Sequence, residues 1–341
     1  MTTSAWATVP RHPVAAAVER LREVLDEVSE QPGVVVIGGA NMVVKARSAR
    51  TAVTGTSNPG AGSMAAGGVA RNVAENLARL RVPVALVTAV GDDPGGQAVR
   101  AGLAEAGVAV TGVRVVAGAQ TAQYVAVLDP GHELVIGVAA MDVLETIDEA
   151  DVDAAWPDAG GWLVLDTNLR AGVLAHALRR ARADGVQVAV DAVSAPKAAR
   201  LPADLGGISV LFCNRAEADA WLALHAGEAG DHGTPAERLR AAGATHVLLT
   251  RGAEGAVLAG EAGVIEVAAV PCDPVDVTGA GDAVVAGTLA GLLRGEDLPA
   301  AARRGMALAA LTVAGPDSVR PDLSPELLER ALLGAGLPLP E

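Results

Sequence analysis

Asp276-Val277-Thr278-Gly279-Ala280-Gly281-Asp282 lies between an apolar run at 264–270 and an Ala/Leu/Gly-rich run that begins near Gly281 and continues to about Leu293. That pattern predicts a strand and a helix joined through a glycine turn. Gly279, Ala280 and Gly281 carry almost no side chain, so successive backbone N–H groups at the positive end of the helix can approach an anion closely. Asp282 adds a carboxylate in the first helical turn. Such a residue complements a helix dipole by about 0.3–1 kcal/mol in any protein. Beside an anion hole it also supplies a base for an attacking hydroxyl, and that pairing makes Asp282 the candidate catalytic base.

The same strand-then-helix pattern recurs along the chain from Gly33. Short β-branched runs at 34–37, 84–90, 162–166, 187–191, 208–213 and 246–250 alternate with Ala/Leu-rich helical stretches, which predicts a mainly parallel sheet covered by helices. Five of the six run into polar or glycine-containing turns: Gly38-Gly39-Ala40-Asn41, Gly91-Asp92-Asp93, Asp166-Thr167-Asn168, Asp191-Ala192-Val193-Ser194 and Asn214-Arg215-Ala216-Glu217. The sixth ends at Thr250-Arg251-Gly252. In an open α/β sheet the ligand crevice lies outside the carboxyl ends of the strands, so these groups are expected to converge on one site. Helix N-caps draw on the same residue types, so some of them are expected to be caps alone.

Two segments break the alternation, 41–54 and 121–138. In the second, Tyr124–Leu128 and Leu134–Val138 flank the turn Asp129-Pro130-Gly131-His132 and read as a hairpin. Together they predict a small β-sheet lid, of use to phosphoryl transfer because water must be kept from the reacting groups. A second glycine turn, Ala65-Ala66-Gly67-Gly68-Val69-Ala70-Arg71-Asn72, opens a helix that continues through Leu80. The organisation expected is a leader at 1–32 with an amphipathic helix over Val14–Val28, a catalytic domain over 33–330, and a tail at 331–341.

The chain has 341 residues, is 51% hydrophobic and carries a formal charge of −14. An acidic surface is not attracted to a nucleic-acid backbone or an anionic membrane, so a small molecule is the expected partner. No window has the apolar length of a membrane span and no secretory leader is evident, which predicts a cytoplasmic protein. Cys213 and Cys272 sit beside apolar residues and read as two buried thiols. Neither the GxxxxGK[ST] nor the GxGxxG nucleotide loop occurs, and the histidines show no zinc pattern. A metal, if used, is then Mg²⁺ carried with ATP through few protein ligands.

The stretch from Asp276 to Asp282, continued by Ala283-Val284-Val285-Ala286-Gly287, resembles the C-terminal signature of the PfkB/ribokinase family of carbohydrate kinases. The glycine turn with Asn72 resembles the N-terminal signature, and the similarity runs from about Val34 to Leu323. Within the family the chain is most similar to pseudouridine kinases, through Gly38-Gly39-Ala40-Asn41, Asn58-Pro59-Gly60, Gly67 to Asn72, Asp191-Ala192-Val193-Ser194 with Lys197, and Asn214-Arg215-Ala216-Glu217. The resemblance implies a ribokinase-like three-layer α/β/α domain and ATP-dependent phosphorylation of a nucleoside or sugar hydroxyl, with pseudouridine as acceptor.

In that reading Asp282 is the base, with Gly279, Ala280 and Gly281 as the anion hole. Asn41, Gly67, Gly68, Asn72, Asp166, Asn168 and Lys197 face the acceptor, and Thr121 and Tyr124 approach it from the lid. Asn214, Glu217, Thr250, Arg251, Gly252 and Thr278 face ATP and Mg²⁺, and a monovalent cation such as K⁺ would be held by backbone oxygens around Asp276 and Thr278. Two alternatives stay open: a kinase for a different sugar or modified C-nucleoside, and a non-catalytic nucleoside sensor.

The chain departs from the family pattern at three positions. Val43 stands where an aspartate usually bonds sugar hydroxyls, Ala140 where an acidic lid residue is expected, and Arg81 where a glycine ends the helix. The apolar lid strands also predict pairing with a second copy through the small sheet.

Overall fold

A computed structural model describes residues 33–131, 133–157, 160–225 and 233–334. The leader helix expected over Val14–Val28 and the end of the tail lie outside the described residues. Among the described residues thirteen strands form two sheets. The large one runs β13-β12-β11-β10-β9-β8-β1-β4-β5, and the small one runs β3-β2-β6-β7.

The six strands expected from sequence are β1 (Val34–Ile37), β4 (Val84–Gly91), β8 (Trp162–Asp166), β9 (Gln187–Asp191), β10 (Val210–Asn214) and β11 (His246–Thr250). All pair in parallel. Their cores are unbroken apolar runs because both faces of the sheet are covered. Three further strands complete it. β5 (Val113–Val116) is a parallel edge, while β12 (Ala256–Gly260) and β13 (Gly263–Val267) fold back antiparallel.

Ten α-helices are described: α1 (Val69–Arg79), α2 (Pro94–Glu105), α3 (Glu149–Ala154), α4 (Ala171–Asp184), α5 (Ala195–Ala198), α6 (Arg215–Leu224), α7 (Pro235–Ala241), α8 (Ala280–Leu293), α9 (Leu298–Val313) and α10 (Pro325–Gly334). One buried cluster joins a face of the large sheet to α1, α2, α8, α9 and α10. The other joins the opposite face to α4, α6 and α7. These two cores make the three layers, and α8, with ten consecutive buried residues from Asp282 to Gly291, is the helix sunk deepest.

The small sheet consists of β2 (Asn41–Ser48), β3 (Gly60–Gly67), β6 (Gln123–Leu128) and β7 (Leu134–Ala140). β2 lies parallel to β6 and antiparallel to β3, and β7 closes the hairpin on β6. The hairpin and β2 match expectation. β3, with the sequence Gly-Ala-Gly-Ser-Met-Ala-Ala-Gly, was not expected as a strand, and it takes in residues 65–67 at the start of the expected glycine turn. It lacks β-branched residues, so its extended form comes from full pairing with β2 rather than from its own propensity.

Of the two cysteines, Cys213 is buried but Cys272 is exposed, and both are free. Cys272 lies in the irregular connection between β13 and α8, which has no sheet partner to cover it. Among the described residues no helix is long and apolar enough to cross a membrane.

Candidate active site

The chain leaves β1, builds β4 and β5 on one side, then returns to place β8 on the other side of β1. That reversal opens a crevice at the carboxyl ends of β1 and β8. Asp166, the last residue of β8, fills its floor. Its Oδ2 accepts from Gly39 N at 2.9 Å and Ala70 N at 3.0 Å, and its Oδ1 accepts from Asn168 N at 2.9 Å. One carboxylate thus fixes the end of β1, the start of α1 and its own turn. Gly38 has to be glycine, since a Cβ there would come within 2.4 Å of the Asp166 carboxyl carbon.

Two helix N-termini face each other across the crevice. α1 begins after Gly68 and α8 after Gly279. From α1, Asn72 Nδ2 donates to Asp282 Oδ2 of α8 at 2.7 Å, and Arg71 donates to Asn72 Oδ1 at 2.9 Å. Both Asn72 and Asp282 are buried. Burial pushes the Asp282 carboxyl up to about 6, helped by the charge of Asp166 and opposed by the Asn72 bond and by Arg71. A carboxylate with its proton affinity raised in this way is suited to accept a proton from a hydroxyl near neutral pH.

The anion cradle lies one turn ahead of the base. Gly279 adopts φ 85°, and a Cβ on it would lie 2.1 Å from the Ser318 carbonyl oxygen. Only glycine allows both the left-handed conformation and that approach. A Cβ built on exposed Gly281, in contrast, meets nothing within 4 Å. The start of α8 is therefore open beside Gly281, while Ala280 N donates to the Val277 carbonyl at 3.3 Å.

The remaining strand ends lie side by side. β10 and β11 set Asn214 opposite Thr250. Asn214 and Glu217 close a reciprocal capping box: Asn214 Oδ1 accepts from Glu217 N at 3.0 Å, and Glu217 accepts from Asn214 N at 2.8 Å and Nδ2 at 2.7 Å. Arg251 is paired with Glu266, and Gly252 has φ 59° with open space at its Cβ position. Asp191, at the end of β9, was expected from sequence among the converging strand ends but was given no role of its own. Burial raises its carboxyl well above the usual range, and the charges of Asp282, Glu217 and Asp166 add to the effect. Like charges gathered around Asp191 are of the kind a divalent cation relieves. Among the described residues no cluster of three His, Cys, Asp or Glu side chains could hold a metal ion, so a Mg²⁺ arriving with ATP would keep phosphate oxygens and water as its main ligands and, when bound, would neutralise phosphate charge.

On the acceptor side, Asn41 is buried beside the α1 N-terminus, with its Oδ1 2.9 Å from where a Cβ on Gly68 would lie. Lys197 donates to Asn168 Oδ1 and is partly desolvated, which lowers its pKa despite the nearby Asp166 charge. Val43 packs toward Gly67, whose Cβ position is 2.6 Å from Val43 Cγ2. Its β6 neighbour is Tyr124, with the hydroxyl end of the ring over Gly137. Ala140 pairs with Gln123 at the end of the hairpin. Thr121 stands apart from this group. It is 2% exposed, and its hydroxyl accepts from Gly91 N and donates to Asp93 Oδ1, so it fastens the β4–α2 turn.

At Asp276 and Thr278, near which a monovalent cation was expected on backbone oxygens, the side-chain oxygens are already taken by an ammonium. Lys45 Nζ donates to Asp276 Oδ2 at 2.5 Å and to Thr278 Oγ1 at 3.2 Å. Neither Lys45 nor Arg71 was identified from the sequence. Arg71 stands in the first turn after the glycine pair, directly before Asn72, and that position is the signal that could have marked it.

Two facing helix N-termini, one holding a buried carboxylate beside a glycine turn, at the switch point of a parallel sheet with a small sheet above, define a kinase of the ribokinase fold. The family model of the pfkB family carbohydrate kinases matches residues 31–323, and the chain belongs to that family. It is a phosphotransferase that acts on a sugar hydroxyl. Pseudouridine kinase of Escherichia coli is 30% identical over 300 residues, covering 86% of this chain and 95% of that protein. A carbohydrate kinase from Agrobacterium tumefaciens superposes with a TM-score of 0.75 at 31% identity, covering 90% of this chain and 98% of that one. Ribokinase of Arabidopsis thaliana, solved with ribose and ATP, shares the fold with a TM-score of 0.71 at 21% identity, over 89% and 99% of the two chains.

Proposed function

We propose that the protein transfers the γ-phosphoryl group of ATP to the 5′-hydroxyl of a C-nucleoside, converting pseudouridine to pseudouridine 5′-phosphate. The observation that carries this reading is the buried Asn72–Asp282 pair, which aims a base of raised pKa at the mouth of the α8 cradle. Asp282 takes the hydroxyl proton as its oxygen attacks phosphorus. The N–H groups of Gly279, Ala280 and Gly281 receive the charge that develops on the transferred group. Asn41, Gly67, Gly68 and Asn72 hold the ribose, with Asp166, Asn168 and Lys197 behind them. Tyr124 covers the base, and Thr121 supports its strand. Asn214, Glu217, Thr250, Arg251, Gly252 and Thr278 line the ATP side. The likeness to the E. coli pseudouridine kinase supports the choice of acceptor.

A panel of nucleosides and pentoses assayed for ADP release with ATP and Mg²⁺ tests the reading, and pseudouridine is expected to give the highest kcat/KM. Val43 favours one second reading, since a side chain without a hydrogen-bonding group in the acceptor wall suits a less hydroxylated or differently substituted sugar. A higher kcat/KM for another acceptor would establish it. In solution the same reading pairs two copies through the small sheet, where Leu134, Val135, Ile136 and Val138 of β7 are exposed. Light scattering that finds only monomer removes that part.

A further inference from the structure

The loop between β13 and α8 delivers the anion hole, yet residues 271–275 and 277–278 within it are exposed, so something has to hold it. Its backbone is tied at one point, where Val275 N and Asp276 N share the Val313 carbonyl. The other tie comes from outside. Lys45 lies on β2 of the small sheet, paired with Ser63 of β3, two residues beyond Val43 and therefore on the same face. Its ammonium bonds Asp276 Oδ2 and Thr278 Oγ1, while Asp276 Oδ1 accepts from Thr278 N at 2.8 Å. Both oxygens of Asp276 and the Thr278 hydroxyl are thus engaged.

The pair is partly screened from water, with side chains 28% and 27% exposed. Burial works to raise the Asp276 carboxyl, but the Lys45 and Thr278 hydrogen bonds outweigh it and hold the group below the usual carboxylate range. Asp276 is therefore ionised and its charge already matched. Lys45 also lines a cavity of about 380 Å³ with Val43, Ser63, Arg71, Thr278 and Ser318, which places the ion pair in the wall between the small sheet and the cradle.

We infer that Lys45 is a built-in cation, a positioning residue that does for this loop what a bound monovalent metal ion would do, so that turnover needs no K⁺. An ammonium on a side chain and an alkali ion supply the same unit charge beside a carboxylate. Once Lys45 is in place, Asp276 has no uncompensated charge to attract a second cation, and the ammonium repels one. Because Lys45 belongs to the small sheet, its bond also makes the seating of that sheet and the setting of the cradle a single event. The inference rests on the kinase reading of the site and not on the identity of the acceptor.

The test compares the full chain with Lys45→Ala and Lys45→Arg in potassium chloride and in choline chloride at equal ionic strength, by initial rate and by thermal melting. The parent is expected to show the same rate and the same Tm in both salts. Lys45→Ala in choline is expected to lose about ten- to a hundred-fold in kcat/KM, the scale of a misplaced catalytic element, and to melt lower. K⁺ restores both, and Lys45→Arg keeps activity without K⁺. Melting requires no acceptor, so an error in the acceptor leaves this readout intact. Activation of the parent by K⁺ would overturn the inference. So would a Lys45→Ala variant that fails to distinguish K⁺ from choline in either measurement, which would mark Lys45 as an acceptor ligand or a structural residue.

Discussion

Asn72 and Asp282 are 210 positions apart in the chain and 2.7 Å apart in the fold. The bond joins the first turns of α1 and α8, and it holds the base through the oxygen that Asn72 contacts while leaving the other carboxylate oxygen for a substrate. Arg71 fixes the Asn72 amide in turn, so the orientation of the base is set by a relay of side chains from the acceptor helix.

The pH profile follows from this arrangement. With the Asp282 carboxyl raised to about 6, kcat/KM is expected to fall as the pH drops below about 6, because the protonated base cannot take the hydroxyl proton. The Asn72 bond lowers that pKa, so Asn72→Ala should move the acid limb to higher pH. A limb at the same pH in parent and variant would remove Asp282 or Asn72 from this role.

Asp282→Asn separates chemistry from stability. Loss of a general base costs about 10²–10⁴ in kcat, whereas ATP binding, followed by calorimetry, should persist. For stability the sign is reversed. A carboxyl whose folded pKa lies above its unfolded value of 3.8 contributes stability below that value and loses it as the pH rises through about 6. At neutral pH the ionised group is a burden, and Asp282→Asn should raise the unfolding free energy by on the order of 2 kcal/mol. A variant as active as the parent, or less stable, contradicts the account.

Gly279→Ala tests the cradle. The added methyl would meet a backbone oxygen at 2.1 Å, and the residue has φ 85°. The conformation alone costs about 1–2 kcal/mol, and moving the Ser318 segment adds to it. We expect a lower urea midpoint and a kcat reduced about a hundred-fold. Parent-like kcat would show that the N–H groups of this turn are not used.

Arg81→Gly should act in the other direction. Arg81 holds φ 61° where the chain leaves α1, and its pair with Glu326 spans 3.3 Å at a side chain 74% exposed, so the pair contributes little. Relief of the left-handed strain, less the entropy that glycine loses on folding, leaves a gain of about 0.5–1 kcal/mol with kcat unchanged. A drop in the urea midpoint would mean that the arginine contacts matter more than its backbone.

The large sheet was legible because its strands are buried on both faces and therefore written as unbroken apolar runs. Asp282 and its glycines were legible because base and cradle are contiguous. What escaped was whatever depends on a distant partner. β3 has the composition of a turn and becomes a strand only against β2. Asp166 looked like an acceptor ligand from its place at a strand end, yet three N–H groups take up its carboxylate. Thr121 is held in the same way by Gly91 and Asp93. Lys45 and Arg71 read as ordinary cations on a strand and a helix, and their meaning comes from Asp276 and Asn72, far off in sequence.

The three bonds of Asp166 also impose an order of assembly. Gly39 and Ala70 are made early in synthesis, but the carboxylate that joins them arrives 127 and 96 residues later. A nascent chain that has exposed only its first hundred residues lacks the group that closes its acceptor wall. That wall cannot be complete before β8 has docked, and the base on α8 is made later still.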